Sequence, residues 1–313
     1  MKIKTILFSL LTFLVFSCSN EGDEPFKEPS ASDQQITLRA GSNNVTVLFF
    51  AKANNQYAYN KTALINVSDT VNLDYGDYKC LFYKFEGDSI EMLPATVNTT
   101  TLIDDIQFNA KIDQSRSYLG NYVLPVEELW LPENISDADI SYNIPAVTTI
   151  SNTLARAVSQ VVIHVKKVTS NGIIDSITTS TNDSILNLGE LTLDISGVST
   201  SWDITGTSGN GKTYFTTDQA VLNEDGTVTY YGPFVFPADN DADISLQFSA
   251  IVGGDIASIN ERIIKGPLER NKKLEITLII KEEIDPRDGE LDIEIDVVDM
   301  EDNPDGGDNG IWE

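Results

Sequence analysis

The chain has 313 residues, with 21 lysines and arginines against 48 aspartates and glutamates, and a formal net charge of −27. So acidic a surface is repelled by nucleic-acid phosphates and by anionic lipid headgroups, because both contacts need positive countercharge; no nucleic-acid partner is expected. Only two cysteines are present, so stability has to come from an apolar core and not from a disulfide framework.

The first element is an export segment. Lys2 and Lys4 form a basic head, and Ile6 through Phe16 form an apolar stretch too short to span a bilayer comfortably. The run Leu14-Val15-Phe16-Ser17-Cys18 resembles a bacterial lipoprotein processing signal. Residues 1–17 are therefore expected to be a signal peptide, and Cys18 to carry the acyl chains, palmitate among them. Several chains together give stable anchoring where a single one would be marginal. The alternatives are an ordinary secretory signal with an incidental cysteine, and an uncleaved helix. The acidic run that follows, Ser19-Asn20-Glu21-Gly22-Asp23-Glu24, looks like the export tags of Bacteroidetes surface lipoproteins. That points to the cell outer membrane and its outer face. With Cys18 acylated, Cys80 is left alone and no disulfide within the chain can form. Residues 18–35, with Pro25, Pro29 and Ser30-Ala31-Ser32-Asp33, read as a flexible acidic tether.

From Ile36 onward the dominant hydrophobic period is two. Val45, Val47 and Phe49 alternate with Thr46, Leu48 and Phe50, which suits a strand packed on both faces. Tyr78, Cys80 and Phe82 alternate with Lys79, Leu81, Tyr83 and Phe85, after a turn at Asp74, Gly76 and Asp77. Residues 124–135, with Trp130 between Pro125 and Pro132, are read as room for a short helical turn. A second block opens at Leu154 and continues through the strand around Val158–Lys166. Leu191-Leu193-Ile195, Ile244-Leu246-Phe248, Leu274-Ile276-Leu278-Ile280 and Leu291-Ile293-Ile295-Val297 each supply an alternating face. The last two suit an antiparallel hairpin, with Leu291–Val297 as an edge strand kept within the chain. No apolar helix period persists for several turns.

This pattern implies an all-β protein of antiparallel β-sandwich type. Ser136 to Asn152 is the least apolar stretch near the middle, so an N-terminal domain at 36–150 and a C-terminal domain at 151–298 are expected, followed by an acidic tail at 299–313. A single large jelly roll is the alternative.

Several motifs suggest chemistry without supplying its context. Gly206-Thr207-Ser208-Gly209-Asn210-Gly211-Lys212-Thr213 satisfies the phosphate-cradling P-loop pattern, but that site needs a following helix, and Tyr214-Phe215-Thr216-Thr217 favours strand. A hairpin loop is expected there. His164 is the sole histidine, so a zinc site of the usual type has no ligand set, and no Gly-x-Ser-x-Gly elbow presents a serine to it. Asp104-Asp105 and Glu127-Glu128 flank Tyr118 and Tyr122, but the relevant carboxylate separation is not readable from sequence. The tail acids from Asp299 to Asp308 lack EF-hand spacing. Neither catalytic residues, a metal nor a cofactor is expected. Near the end of the tail, Trp312 is a candidate to dock on a domain or a partner. Four triplets, beginning Asp69-Thr70, Asp88-Ser89, Asp175-Ser176 and Asp183-Ser184, look like Bacteroidetes O-glycosylation sites, with Thr70, Ser89, Ser176 and Ser184 as acceptors.

Together, the Cys18 signal, Arg39-Ala40-Gly41, Val45-Thr46-Val47-Leu48-Phe49-Phe50, Val71–Lys79 with its Gly76-Asp77-Tyr78 turn, and Leu154-Ala155-Arg156-Ala157-Val158 resemble the fimbrillin-like proteins of Bacteroidetes, a group of fimbrial subunit lipoproteins that includes the FimB-type anchors. The resemblance spans residues 36–298. It implies two tandem transthyretin-like sandwiches on a surface lipoprotein that is not an enzyme and works in adhesion and fimbrial assembly. It also implies other fimbrial subunits as partners, engaged by β-strand addition. Arg39 is the candidate protease processing point, although losing Ile36-Thr37-Leu38 is expected to free little sheet. The competing reading is a glycan-binding lipoprotein of a polysaccharide uptake system, with Trp130, Tyr118, Tyr122 or Trp202 stacking on sugar. Its partner would be a surface glycan; a host protein is the other candidate ligand.

Overall fold

The computed structural model describes residues 33–85, 87–168, 174–175, 191–217, 220–238, 243–252, 255–265, 268–281 and 292–299. Strand begins at Asp33, earlier than the expected Ile36. In chain order the first half contains β1 (Asp33–Arg39), β2 (Val45–Ala53), β3 (Gln56–Ile65), β4 (Ser68–Asp74), β5 (Gly76–Phe85), β6 (Ile90–Leu93), β7 (Gln107–Ala110), β8 (Tyr122–Val123) and β9 (Leu129–Pro132). A single helical turn, α1 (Asp137–Ile140), leads to β10 (Ser141–Ile144), β11 (Thr149–Ser151) and β12 (Leu154–Arg156).

The second half runs through β13 (Ser159–Val168), β14 (Ile174–Asp175), β15 (Leu191–Val198), β16 (Ser201–Asp203), β17 (Gly206–Ser208) and β18 (Gly211–Thr217). It ends with β19 (Ala220–Leu222), β20 (Val228–Val235), β21 (Asp243–Val252), β22 (Asp255–Lys265), β23 (Lys272–Lys281) and β24 (Asp292–Asp299). The all-β architecture, mainly antiparallel, is the one the sequence implies.

A central sheet of order β12-β9-β5-β2-β3, with β10 also on β5, organises the first half. β2 and β5 bury both faces. Val45, Val47 and Phe49, with Tyr78, Cys80 and Phe82, enter one core with Ile36, Leu38, Val71, Leu73 and Ile150 of the β11-β1-β4 sheet. Leu48, Phe50 and Leu81 enter the opposite core with Phe108, Leu129, Trp202 and Phe236. Three layers result, each apolar face covered by another sheet.

In the second half, β19-β20-β13-β23-β24 and β22-β21-β15-β18-β8 form the two sheets, and β15 and β18 touch β20. β24 pairs with β23 antiparallel and lies at the sheet edge, as expected for 291–297.

Three local readings change. Ser136–Asn152, the least apolar stretch near the middle, holds α1, β10 and β11, so a boundary at residue 150 would fall inside β11, and Ile140, Ile144 and Ile150 are all buried. Its few apolar residues are spaced to reach the core, so low mean hydropathy misled. Residues 129–132 are strand and the helical turn comes later, at Asp137. Leu154–Arg156 does not open the second block; it closes the central sheet by pairing with Trp130–Pro132, and chain pairing switches to β20 and β23 only from Ser159. Pairing also crosses between halves, because β7 joins β16 and β8 joins β18.

Candidate functional site

β1 is the middle strand of its sheet, antiparallel to β4 and parallel to β11. Its alternation places Ile36 and Leu38 fully inside the core, with Arg39 exposed at the strand's end. Removing this strand would leave β4 and β11 with facing rows of unsatisfied backbone groups and two vacant apolar positions between them. The expectation that losing Ile36–Leu38 frees little sheet is therefore corrected. β11 was invisible in the sequence, and without it β1 reads as an edge.

The Arg39–Ala40 peptide is held on both sides. The Arg39 carbonyl accepts from the Asn152 N–H at 2.9 Å, and the Ala40 N–H donates to the Val67 carbonyl at 3.1 Å. Gly41 follows at φ +68, in the left-handed region that glycine tolerates. A cavity of about 340 Å³ lies beside this turn, lined by Arg39, Ala40, Gly41 and Ser151 through Leu154. A protease needs an extended, released backbone, so a cut here requires the two hydrogen bonds to open first.

Among the other candidates, Cys18, Ser176, Ser184 and Trp312 lie outside the described residues. Thr70 is exposed on β4, within 3.4 Å of Gln35 Nε2. Ser89 is not a presented acceptor: it is buried, its Oγ accepts from the Glu127 N–H, and its own N–H donates to Glu127 Oε2. Three of the four acids in the two pairs make hydrogen bonds within the fold. Asp105 accepts from the Leu102 N–H, Glu127 holds Ser89, and Glu128 accepts from both Trp130 Nε1 and Arg156 Nε at 3.0 Å. Arg156 is buried with its guanidinium 4.6 Å from the Trp130 ring centroid. His164 contacts Thr229 Oγ1 through Nδ1 at 2.9 Å, with Glu275 at 3.7 Å from Nε2. That is a cross-strand arrangement, linking β13 to β20 on one side and to β23 on the other.

The P-loop match covers β17, the Gly209-Asn210 connection and the start of β18; the expected hairpin loop is corrected, because β17 pairs with β16 and β18 with β15, so the connection passes between two sheets. Its glycines answer to packing: a Cβ on Gly209 would stand 2.0 Å from Thr200 Oγ1, and one on Gly211 2.5 Å from Thr200 Cγ2. The stacking aromatics are also mostly spoken for, since Trp130, Tyr122 and Trp202 are buried and only Tyr118, at 79% exposure, is open to solvent. Tyr122 donates to Asp194 Oδ2 at 2.6 Å, and burial with that carboxylate pushes its hydroxyl up to about 12. Burial raises the Cys80 thiol as well, which suits an inert core residue.

Sequence reasoning missed Arg270. From the second half it donates to the carbonyls of Leu131, Ala155 and Arg156 at 2.8, 3.1 and 3.1 Å, all in or at the end of the central sheet. An arginine in a Leu-Glu-Arg-Asn turn gives no signal of such a role.

No family model matches the sequence, and no curated protein matches it. Solved structures do. A proposed polysaccharide-binding protein from Bacteroides thetaiotaomicron superposes with a TM-score of 0.54 at 15% identity, covering 86% of this chain and 99% of its own. A proposed adhesin from the same species gives 0.53 at 10% identity, over 86% and 98%. A proposed adhesin from Bacteroides ovatus gives 0.51 at 11% identity, over 79% and 90%. The chain shares their fold. At such identities that likeness speaks for architecture alone. Among the described residues, no helix is long and apolar enough to cross a membrane.

Proposed function

We propose that this chain is a cell-surface lipoprotein of the fimbrillin-like family, non-enzymatic, and a subunit or anchor in adhesion and fimbrial assembly. The observation that carries the reading is the position of β1 between β4 and β11, with Ile36 and Leu38 buried and a solvent-facing arginine at its end. A strand so placed can be replaced by an equivalent strand from another subunit. Backbone pairing would supply affinity, and the two apolar positions would supply register. Anchoring through Cys18 would hold the protein at the outer membrane, leaving the sandwiches outside. In an anchor β1 stays in place; in a polymerising subunit a cut after Arg39 removes it. The glycan-binding reading is less well supported, because three of the four aromatics it needs are buried.

Recovery of native surface material decides among these roles, with mass spectrometry of its N-terminus and of co-purifying proteins. An acylated Cys18 in a fimbrial complex is the result expected of an anchor, and an N-terminus at Ala40 that of a polymerising subunit. A monomer carrying a tightly held glycan and no fimbrial partner would overturn both.

A further inference from the structure

At the junction of the two halves lies a second cavity, of about 570 Å³. That volume is within the ~300–1,000 Å³ typical of clefts that enclose a small ligand. Apolar side chains contribute to its wall, Ile204 and Leu268 among them, but five of its residues bring hydrogen-bonding groups: Trp202, Thr205, Thr207, Glu269 and Arg270. Two of the five are fixed by the fold. Thr205 donates its hydroxyl and its amide to Asp203 Oδ1 at 2.6 and 2.7 Å, which leaves the hydroxyl oxygen able to accept. Arg270 is held by the carbonyls of Leu131, Ala155 and Arg156.

The other three have polar groups left over. Among the described residues, no hydrogen bond or ion pair engages the Trp202 indole N–H, the Thr207 hydroxyl or the Glu269 carboxylate. Trp202 is the most informative. It is 4% exposed and packs on Phe108 with ring centroids 6.0 Å apart, yet its N–H is not sealed from open space. A buried indole ordinarily finds an acceptor, and the cavity is where this ring can meet one. With so little of the ring open, it offers an edge and not a stacking face.

These groups select for a chemistry. Glu269 opposes an anion and Arg270 a cation, so a neutral molecule meets the least resistance. Its hydroxyls have to donate to a carboxylate, its oxygens to accept from an indole N–H, and its C–H surface to lie on Ile204 and Leu268. A pyranose ring carries all three.

We propose that this cavity binds a neutral saccharide, with Glu269 and Thr207 meeting sugar hydroxyls and Trp202 donating its N–H to a sugar oxygen. The site goes beyond the fimbrial reading and does not depend on it, since an anchor and a polymerising subunit can carry it equally. It also differs from a site built on stacking aromatics, which needs exposed ring faces.

The test is proton–nitrogen correlation NMR of the full isotope-labelled chain in detergent, read at the indole N–H signals of the three tryptophans. Trp202→Phe, which keeps the apolar body, assigns the signal of interest; Trp130→Phe and Trp312→Phe assign it by elimination if that variant does not fold. Methyl glycosides of glucose, galactose, mannose and N-acetylglucosamine are titrated separately into the tens of millimolar. At least one is expected to move the Trp202 signal saturably while that of Trp130 stays in place. Glu269→Ala is expected to weaken that glycoside about tenfold or more, and Thr207→Val several-fold, with circular dichroism showing the fold retained. Methyl glucuronide should bind more weakly than methyl glucoside. No saturable shift with any of the four glycosides would overturn the proposal. So would a shift that survives both substitutions unchanged, and so would tighter binding of the glucuronide, which would assign the cavity to an anion.

Discussion

Gly209 shows how a residue can satisfy a functional pattern for a purely steric reason. It sits at φ +88, and an added methyl would meet Thr200 Oγ1 at 2.0 Å. Gly209→Ala should cost about 1–3 kcal/mol in urea unfolding, and adding Thr200→Ala should recover part of that loss, because the clashing oxygen is then gone. A phosphate-site glycine would show no such coupling. Tyr122 makes a second prediction. Its neutral form is favoured in the native state, pushed up to about 12 from an ordinary 10.0. Between those values the unfolded chain binds fewer protons than the native one, so stability falls as pH rises through this window and is fully present below it. Tyr122→Phe should lower stability at neutral pH, by leaving Asp194 without its donor. It should also flatten the alkaline limb of a stability-against-pH curve measured by denaturant titration.

Single elements were legible to the extent that both their faces, or one clear face, carried a period. β2, β5, β15 and β23 follow directly from alternation. The short strands β10, β11 and β12 did not, because three or four residues contain too few alternations to stand out and their polar neighbours dilute the signal. That shortfall concealed the partner of β1, and with it the depth of the candidate groove; nothing local in the sequence records a parallel pairing across more than a hundred residues. Strand replacement at this position can be checked without a native partner. Protein cleaved after Arg39 and freed of residues 33–39 should lose amide protection in β4 and β11 by hydrogen exchange. A synthetic Asp33–Arg39 peptide should restore it, and the same peptide with Ile36 and Leu38 changed to aspartate should not. Restoration by both peptides would show that apolar register plays no part.

On the scale of the molecule, the two halves are knitted by backbone and side chain alike. β7 pairs with β16, β8 with β18, and Arg270 donates to three carbonyls across the junction. Such sharing leaves little for either half to fold on alone. Scanning calorimetry should show one transition, with calorimetric and van't Hoff enthalpies in agreement. Arg270→Met should lower stability by about 2–4 kcal/mol without splitting that transition; two separate transitions would mean the halves fold independently.

The two-sided burial of β2 and β5 bears on how this architecture outlasts its own sequence. A strand with no solvent face asks only for apolar bulk at nearly every position, a demand that countless combinations of valine, leucine and phenylalanine satisfy. Chains at 15% identity or below can therefore still superpose, while the outer layer, under looser physical constraint, accepts a wider range of residues.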